Sequence, residues 1–212
     1  MATSEDISRR YPKEIDLREM LVPPGPQFLR ARPGEPQVHQ RVSVRLMQPA
    51  DKSAMLQFAR SLPQEDLLFL QMDITDPASD EEWMANIEKG TTITLLAEPD
   101  RLVAGYASLH VNPLRWTRQV GEIAINIAPE WRSRGLGEGL CAEILTLAGL
   151  LQLRKVTAQM VAEHKSARAL FERLGFHVEA LLPDWVVDRE GHCRDLLLMA
   201  YQMHRPREHA PA

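Results

Sequence analysis

Residues 123–137, Ile-Ala-Ile-Asn-Ile-Ala-Pro-Glu-Trp-Arg-Ser-Arg-Gly-Leu-Gly, decide the fold of this chain. Isoleucines alternating with small or polar residues predict a strand, and Pro129 ends it. A short loop, Arg132-x-x-Gly135-x-Gly137, leads into a helix predicted over about 135–151. Glycines at 135 and 137 let the backbone approach a ligand with no Cβ in the way. Amides at the first helical turn point outward, and the helix dipole favours negative charge there. Arg132 and Arg134 add cationic donors. Together these features describe a pyrophosphate cradle. Gly-x-x-x-x-Gly-Lys-Ser/Thr is absent, which excludes a P-loop, and the absence of Gly-x-Gly-x-x-Gly disfavours a dinucleotide fold. Two glycines that merely tighten a strand-to-helix turn would leave the same short pattern.

Outward from this stretch the pattern stays regular. Upstream, 42–46 predicts a strand, 49–62 a helix, 63–70 a second helix and 80–88 a third. Strands follow at 92–97, 102–110 and 122–128, the last two joined by 112–119. Beyond the long helix come a strand at 155–161, a helix at 166–174 stopped by Gly175, and a strand at 176–182. A hairpin turn at 188–191 leads to a strand at 195–201 that is expected to close the sheet. The order predicts an α/β (α+β) domain over 41–204, with a tail at 205–212. Residues 1–40 hold six of the fifteen prolines and predict an extended arm free of helix and sheet. Tyr11, Ile15, Leu17, Leu21 and Phe28 suit an arm clamped on the domain or a neighbouring subunit better than a disordered leader.

The 212 residues carry 25 Lys+Arg and 29 Asp+Glu, so a net charge of −4 draws neither nucleic acid nor an anionic membrane. Apolar residues at 44% and charged residues at 25% suit a soluble globular protein. Cys141 and Cys193 form no disulfide framework and no metal-ligand spacing with histidine, so a reducing, cytoplasmic setting and no metal are expected. Residues 1–10 have no apolar run of the kind a signal peptide needs. Glu138, Glu143 and Gln152 interrupt the most apolar stretch, 135–153, which argues against a membrane span.

A second motif, Ala167-Arg-Ala-Leu-Phe171-Glu-Arg-Leu-Gly175-Phe176, reads as a helix with a glycine stop and an aromatic residue opening the next strand. With both motifs in register, the chain resembles the GNAT acetyltransferase superfamily over about 42–203. The segments 11–15, 61–66 and 195–199 look like a bacterial branch of it, where resemblance brings no acceptor. The resemblance implies the GNAT fold, a mixed central sheet splayed around an acyl-CoA site, and acetyl-CoA as co-substrate. Arg132, Ser133, Arg134, Gly135, Leu136 and Gly137 are then expected to hold its pyrophosphate through main-chain amides. Ile125 and Ile127 are expected to present backbone groups to the pantetheine arm between the 123–128 and 155–161 strands.

Glu122 lies at about the offset of the family's general base, which takes the proton of the attacking amine. Asn126 shares its face and is placed to orient a water; a carboxylate merely paired with Arg118 or exposed is the plainer alternative. Phe171 stands where many relatives have a tyrosine that protonates the leaving thiolate, and it has no proton to give. His164 stands where relatives have asparagine, so it is a candidate to bond pantetheine or to supply that proton. Capping the helix or simple exposure competes with that role. Ala167 and Phe171 complete the expected cofactor-binding set. His110, Arg115 and Trp116 fall on the acceptor side, and Trp185, Asp188 and His192 surround the last hairpin without an assigned role.

The implied activity is acetyl transfer to a primary amine, on a protein or a small molecule, by direct attack in a ternary complex. Neither cysteine lies near the reacting end, so no acyl-enzyme is expected. A homodimer is a further expectation from the arm. The rival is a non-catalytic acyl-CoA-binding sensor, which Phe171 favours and Glu122 disfavours.

Overall fold

The computed structural model describes residues 3–17, 41–67, 73–114, 116–188 and 190–203. Helix α1 (Ser4–Ser8) opens the chain, its cap closed by Asp6 N–H on Thr3 Oγ1 and Thr3 N–H on Asp6 Oδ2. Strands β1 (Lys13–Asp16) and β2 (Arg41–Leu46) are followed by α2 (Lys52–Ser61), α3 (Gln64–Leu67) and α4 (Pro77–Glu88). Then come β3 (Thr92–Glu98), β4 (Gly105–Val111), β5 (Val120–Ile127) and α5 (Leu136–Leu150). Strand β6 (Lys155–Val161), α6 (Lys165–Arg173), β7 (His177–Val187) and β8 (Cys193–Gln202) complete the described elements.

The eight strands form one mixed sheet in the order β1-β2-β3-β4-β5-β6-β8-β7. Only β5 and β6 are parallel, as a crossover through α5 requires. Alternation sorts side chains between the two faces. Leu95, Ala97, Ala107, Leu109 and Ile123 pack against α5 through Leu140, Ile144, Leu147 and Ala148. Leu96 and Tyr106 point the other way, onto Met55 and Phe58 of α2 and Trp83 and Met84 of α4. Helix α5 is buried on most of its circumference, which explains its apolar sequence. No helix among the described residues is long and apolar enough to cross a membrane.

Two expectations fail. The arm is not free of helix and sheet, because α1 and β1 lie within it and β1 pairs with β2 from Lys13↔Val44 to Asp16↔Arg41. The arm is clamped on its own domain. Ile7 and Ile15 are buried in the α5-side core, with Tyr11 and Leu17 packed against it. Tyr11 Oη and Lys13 Nζ both donate to Glu143 on α5, at 3.1 and 2.7 Å. The Glu143 carboxylate, only 9% exposed on a mostly apolar helix, is thereby satisfied. Leu21 and Phe28 lie outside the described residues, as does the end of the helix predicted over 63–70. The last strand, second, does not close the sheet: β8 inserts between β6 and β7, leaving β7 at the edge.

Because Ile15 is 7% exposed and inside the core, Ile15→Ala is expected to lower stability by about 2–4 kcal/mol. Denaturant unfolding checks this, and an unchanged midpoint would mean that the arm adds no stability.

Candidate active site

Strands β5 and β6 part company midway. Their parallel pairs are Val120↔Lys155, Gly121↔Val156 and Glu122↔Thr157, and the ladder stops there. Beyond that point β5 remains tied to β4 as far as Gly105↔Ile127, and β6 to β8 as far as Val161↔Leu196. A slot opens between them, as expected for an acyl-CoA site.

Backbone direction alternates along a strand, so one set of β5 residues addresses β4 and the other addresses β6. Ala128 N–H donates to Ala104 O at 2.8 Å, which assigns the even-numbered positions to β4. Gly121 O receives Thr157 Oγ1 at 3.2 Å, which assigns the odd-numbered ones to β6. Ile125 and Ile127 therefore turn their backbone groups into the slot, beyond the last β5–β6 pair.

At the mouth of the slot the chain makes a 3-10 turn at Pro129–Trp131 and enters the glycine loop. Ser133 (φ 56°) and Gly135 (φ 87°) are both left-handed. Gly135 is the N-cap of α5 and has no side chain to satisfy the first-turn amides. The first helical bond is Gly139 N–H to Gly135 O at 3.0 Å, so the amides of Leu136, Gly137 and Glu138 precede any helical acceptor. Gly137 sets the spacing between helices, since a Cβ there would meet Leu170 of α6 at 3.2 Å. The loop is buttressed from the arm as well, with Leu17 O 3.1 Å from where a Gly135 Cβ would sit.

Arg132 is not the spare donor expected from sequence. Arg132 Nε donates to Ile127 O at 3.1 Å and its guanidinium pairs with Asp66 at 2.5 Å. It braces the loop against β5 and the segment after α2. The Arg134 guanidinium lies 5.4 Å from the centre of the Trp131 ring.

Two cavities meet at this place. One, of about 310 Å³, is lined by Tyr106, Glu122, Asn126, Gln159, His164 and Phe171, with Ile125 and Ala167 on its wall. The other, of about 520 Å³, opens toward Asn86, Lys89, Thr91, Asn112 and Thr117. Glu122 and His110 line both. They sit directly across from one another on β5 and β4. Glu122 Oε2 accepts from Gln159 Nε2 at 3.1 Å.

His164 is the N-cap residue of α6, yet its side chain makes no capping bond, so that alternative falls away. It lines the first cavity across from β5. Burial holds its pKa below the ordinary histidine value, opposed by nearby Asp66 and assisted by Arg132. Phe171 is 6% exposed and stacks edge-on against Phe176 at 4.9 Å while presenting to the cavity. His110 lies on β4, and its Nδ1 and Thr92 Oγ1 are 2.9 Å apart. Trp116 is 93% exposed and Arg115 lies outside the described residues.

Sequence reasoning missed Tyr106 and Gln159, both polar residues on alternating positions of predicted strands. The described residues also bring Asp188, Glu190 and His192 close enough to share a cation. Asp188 is already satisfied by Arg194 Nε and the Glu190 and His192 amides, each at 2.9 Å, which accounts for the cluster as a closed turn.

Burial lowers the pKa of His110 as well as that of His164. The unfolded chain, with histidines near 6.5, binds protons first as pH falls. Their contribution to stability is full above that value and is lost as pH drops through it toward the lower folded pKa values. The melting temperature is expected to fall between pH 7.5 and 5.5, and to fall less in His110→Gln. Parallel melts of the two proteins check this.

A sequence model described as the acetyltransferase (GNAT) family matches residues 56–176, more than half of the chain. No curated protein sequence matches it. Among solved structures, a ribosomal-protein-alanine N-acetyltransferase from Brucella melitensis superposes with a TM-score of 0.66 at 24% identity, over 76% of this chain and 99% of that one. A putative acetyltransferase from Salmonella typhimurium, solved with acetyl-CoA, gives 0.64 at 22% identity over 80% and 99%. A phosphinothricin acetyltransferase from Sinorhizobium meliloti, also with acetyl-CoA, gives 0.66 at 20% identity over 81% and 93%. At these identities the structures share the fold, and it is the sequence match that assigns the chain to the GNAT acetyltransferase family.

Proposed function

We propose that this acetyltransferase moves an acetyl group from acetyl-CoA to a primary amine by direct attack in a ternary complex. The observation that carries the reading is the meeting of two cavities at Glu122 and His110. A donor entering along the slot and an acceptor entering from the Asn112–Thr117 side reach the same carboxylate. The donor supplies a thioester, an acyl group already activated toward nitrogen. The first-turn amides of α5, with Ser133 and Gly135 holding the loop open, suit a pyrophosphate. The Ile125 backbone and the Ile127 N–H suit a pantetheine amide, in the manner of a strand added to β5, Ile127 O being held by Arg132. Ala167, Phe171 and His164 wall the slot from the α6 side.

An amine attacks only when neutral, so the ammonium must pass its proton to a group in reach, directly or through one water. Glu122 is that group, oriented by Gln159. Acceptors that fit are a protein N-terminus, a protein lysine or a small amine. A cytoplasmic enzyme suits this chemistry, since neither Cys141 nor Cys193 is bridged.

Glu122→Gln is expected to lower turnover about 10²–10⁴-fold while leaving acetyl-CoA affinity nearly unchanged. Steady-state kinetics beside calorimetric binding checks both. Unchanged turnover removes Glu122 from the mechanism, and intact binding without transfer to any amine in the wild type points to a sensor.

A further inference from the structure

Phe171 leaves the departing sulfur without the phenol that the resemblance leads one to expect at that position. Another phenol lies on the wall of the same cavity. Tyr106, on β4, is 4% exposed, its ring held by Trp83 at 5.0 Å and by Phe58 edge-on at 5.9 Å. It faces Asn126 across the β4–β5 pair, and Asn126 Nδ2 donates to its hydroxyl at 2.7 Å. That bond uses a lone pair of the oxygen and turns the O–H away from Asn126. Among the described residues no group accepts the Tyr106 proton. A buried hydroxyl with an unspent proton carries a desolvation cost that an acceptor in the cavity relieves.

Resting on the acetyl-transfer reading, we propose that Tyr106 donates the hydrogen bond that stabilises the CoA thiolate as it leaves. The amine lone pair forms the C–N bond, the C–S bond breaks, and its electron pair stays on sulfur. The amine proton goes to Glu122, from which it returns to sulfur or to solvent. The Tyr106 proton stays on oxygen throughout. Burial pushes this phenol well above its usual pKa, which suits a hydrogen-bond donor and not a proton donor. Ser108, on the same cavity wall, is already committed. Ser108 Oγ shares a 2.8 Å bond with Thr94, which also takes Trp83 Nε1–H at 2.9 Å.

The test is the titration of CoA bound to the protein, followed by thiolate absorbance with the desulfo-CoA complex as blank. The bound thiol is expected to ionise below the pH at which free CoA does. Tyr106→Phe should raise its pKa by about one to two units, the worth of one hydrogen bond to an anion. CoA affinity at pH values where the thiol is protonated should change less than about threefold. Asn126→Ala, which leaves the phenol ring in place, should raise the pKa by less. In turnover, Tyr106→Phe should lower kcat with KM for acetyl-CoA unchanged. An identical thiol pKa in wild type and Tyr106→Phe overturns the proposal. So does a shift seen only in His164→Gln, which gives the donor role to His164. A lowered thiol pKa in a protein that acetylates no amine would sink the acetyl-transfer reading while leaving the hydrogen bond standing.

Discussion

The parallel ladder between β5 and β6 ends at Glu122↔Thr157, and the rest of the site follows from that break. Each strand has a stronger commitment elsewhere, β5 to β4 and β6 to β8, and both continue for several residues after they separate. In an uninterrupted sheet the odd-numbered backbone groups of β5 would be spent on β6. Here they are turned toward a slot. The helices on either side keep the slot from collapsing. α5 begins at its mouth, and α6 closes against α5 where Gly137 permits Leu170 to approach.

The same alternation that frees the backbone also sorts the chemistry. Odd positions of β5 send side chains into the α5-side core, while Glu122 and Asn126 point into a polar layer with Tyr106, Ser108 and His110. That layer lies under Trp83, and its bonds tie Trp83 to Thr94 and Thr94 to Ser108. In the proposed reading, backbone recognition of a long flexible donor and side-chain handling of protons fall to the same strand on different registers. The arm belongs to this arrangement. Its β1 strand bonds to Glu143 on α5, and Leu17 reaches the glycine loop.

The glycine loop and the strand before it were legible because their signal is local, one strand, one turn and one helix start. Glu122 and the backbone roles of Ile125 and Ile127 came from the family resemblance, and the slot gives them a physical setting. The arm misled because Lys13–Asp16 offers one buried residue, Ile15, too short a period to stand out from proline-rich surroundings. Arg132 misled for a different reason. Its partner Asp66 lies 66 residues away in sequence, and no local pattern reveals that a cation is already engaged. The placement of β8 between β6 and β7 is likewise a long-range pairing that hydrophobic periodicity does not encode. Tyr106 was visible as part of an alternating strand, but its bond to Asn126 exists only once β4 and β5 are in register.

The most direct measurement of the slot is amide hydrogen exchange on β5 by NMR, with and without acetyl-CoA. The Ile125 and Ile127 amides face the slot and should slow markedly when the donor binds. Those of Ala124 and Asn126, directed at β4, should change little. Protection that leaves Ile125 and Ile127 untouched and appears along another strand would contradict the account.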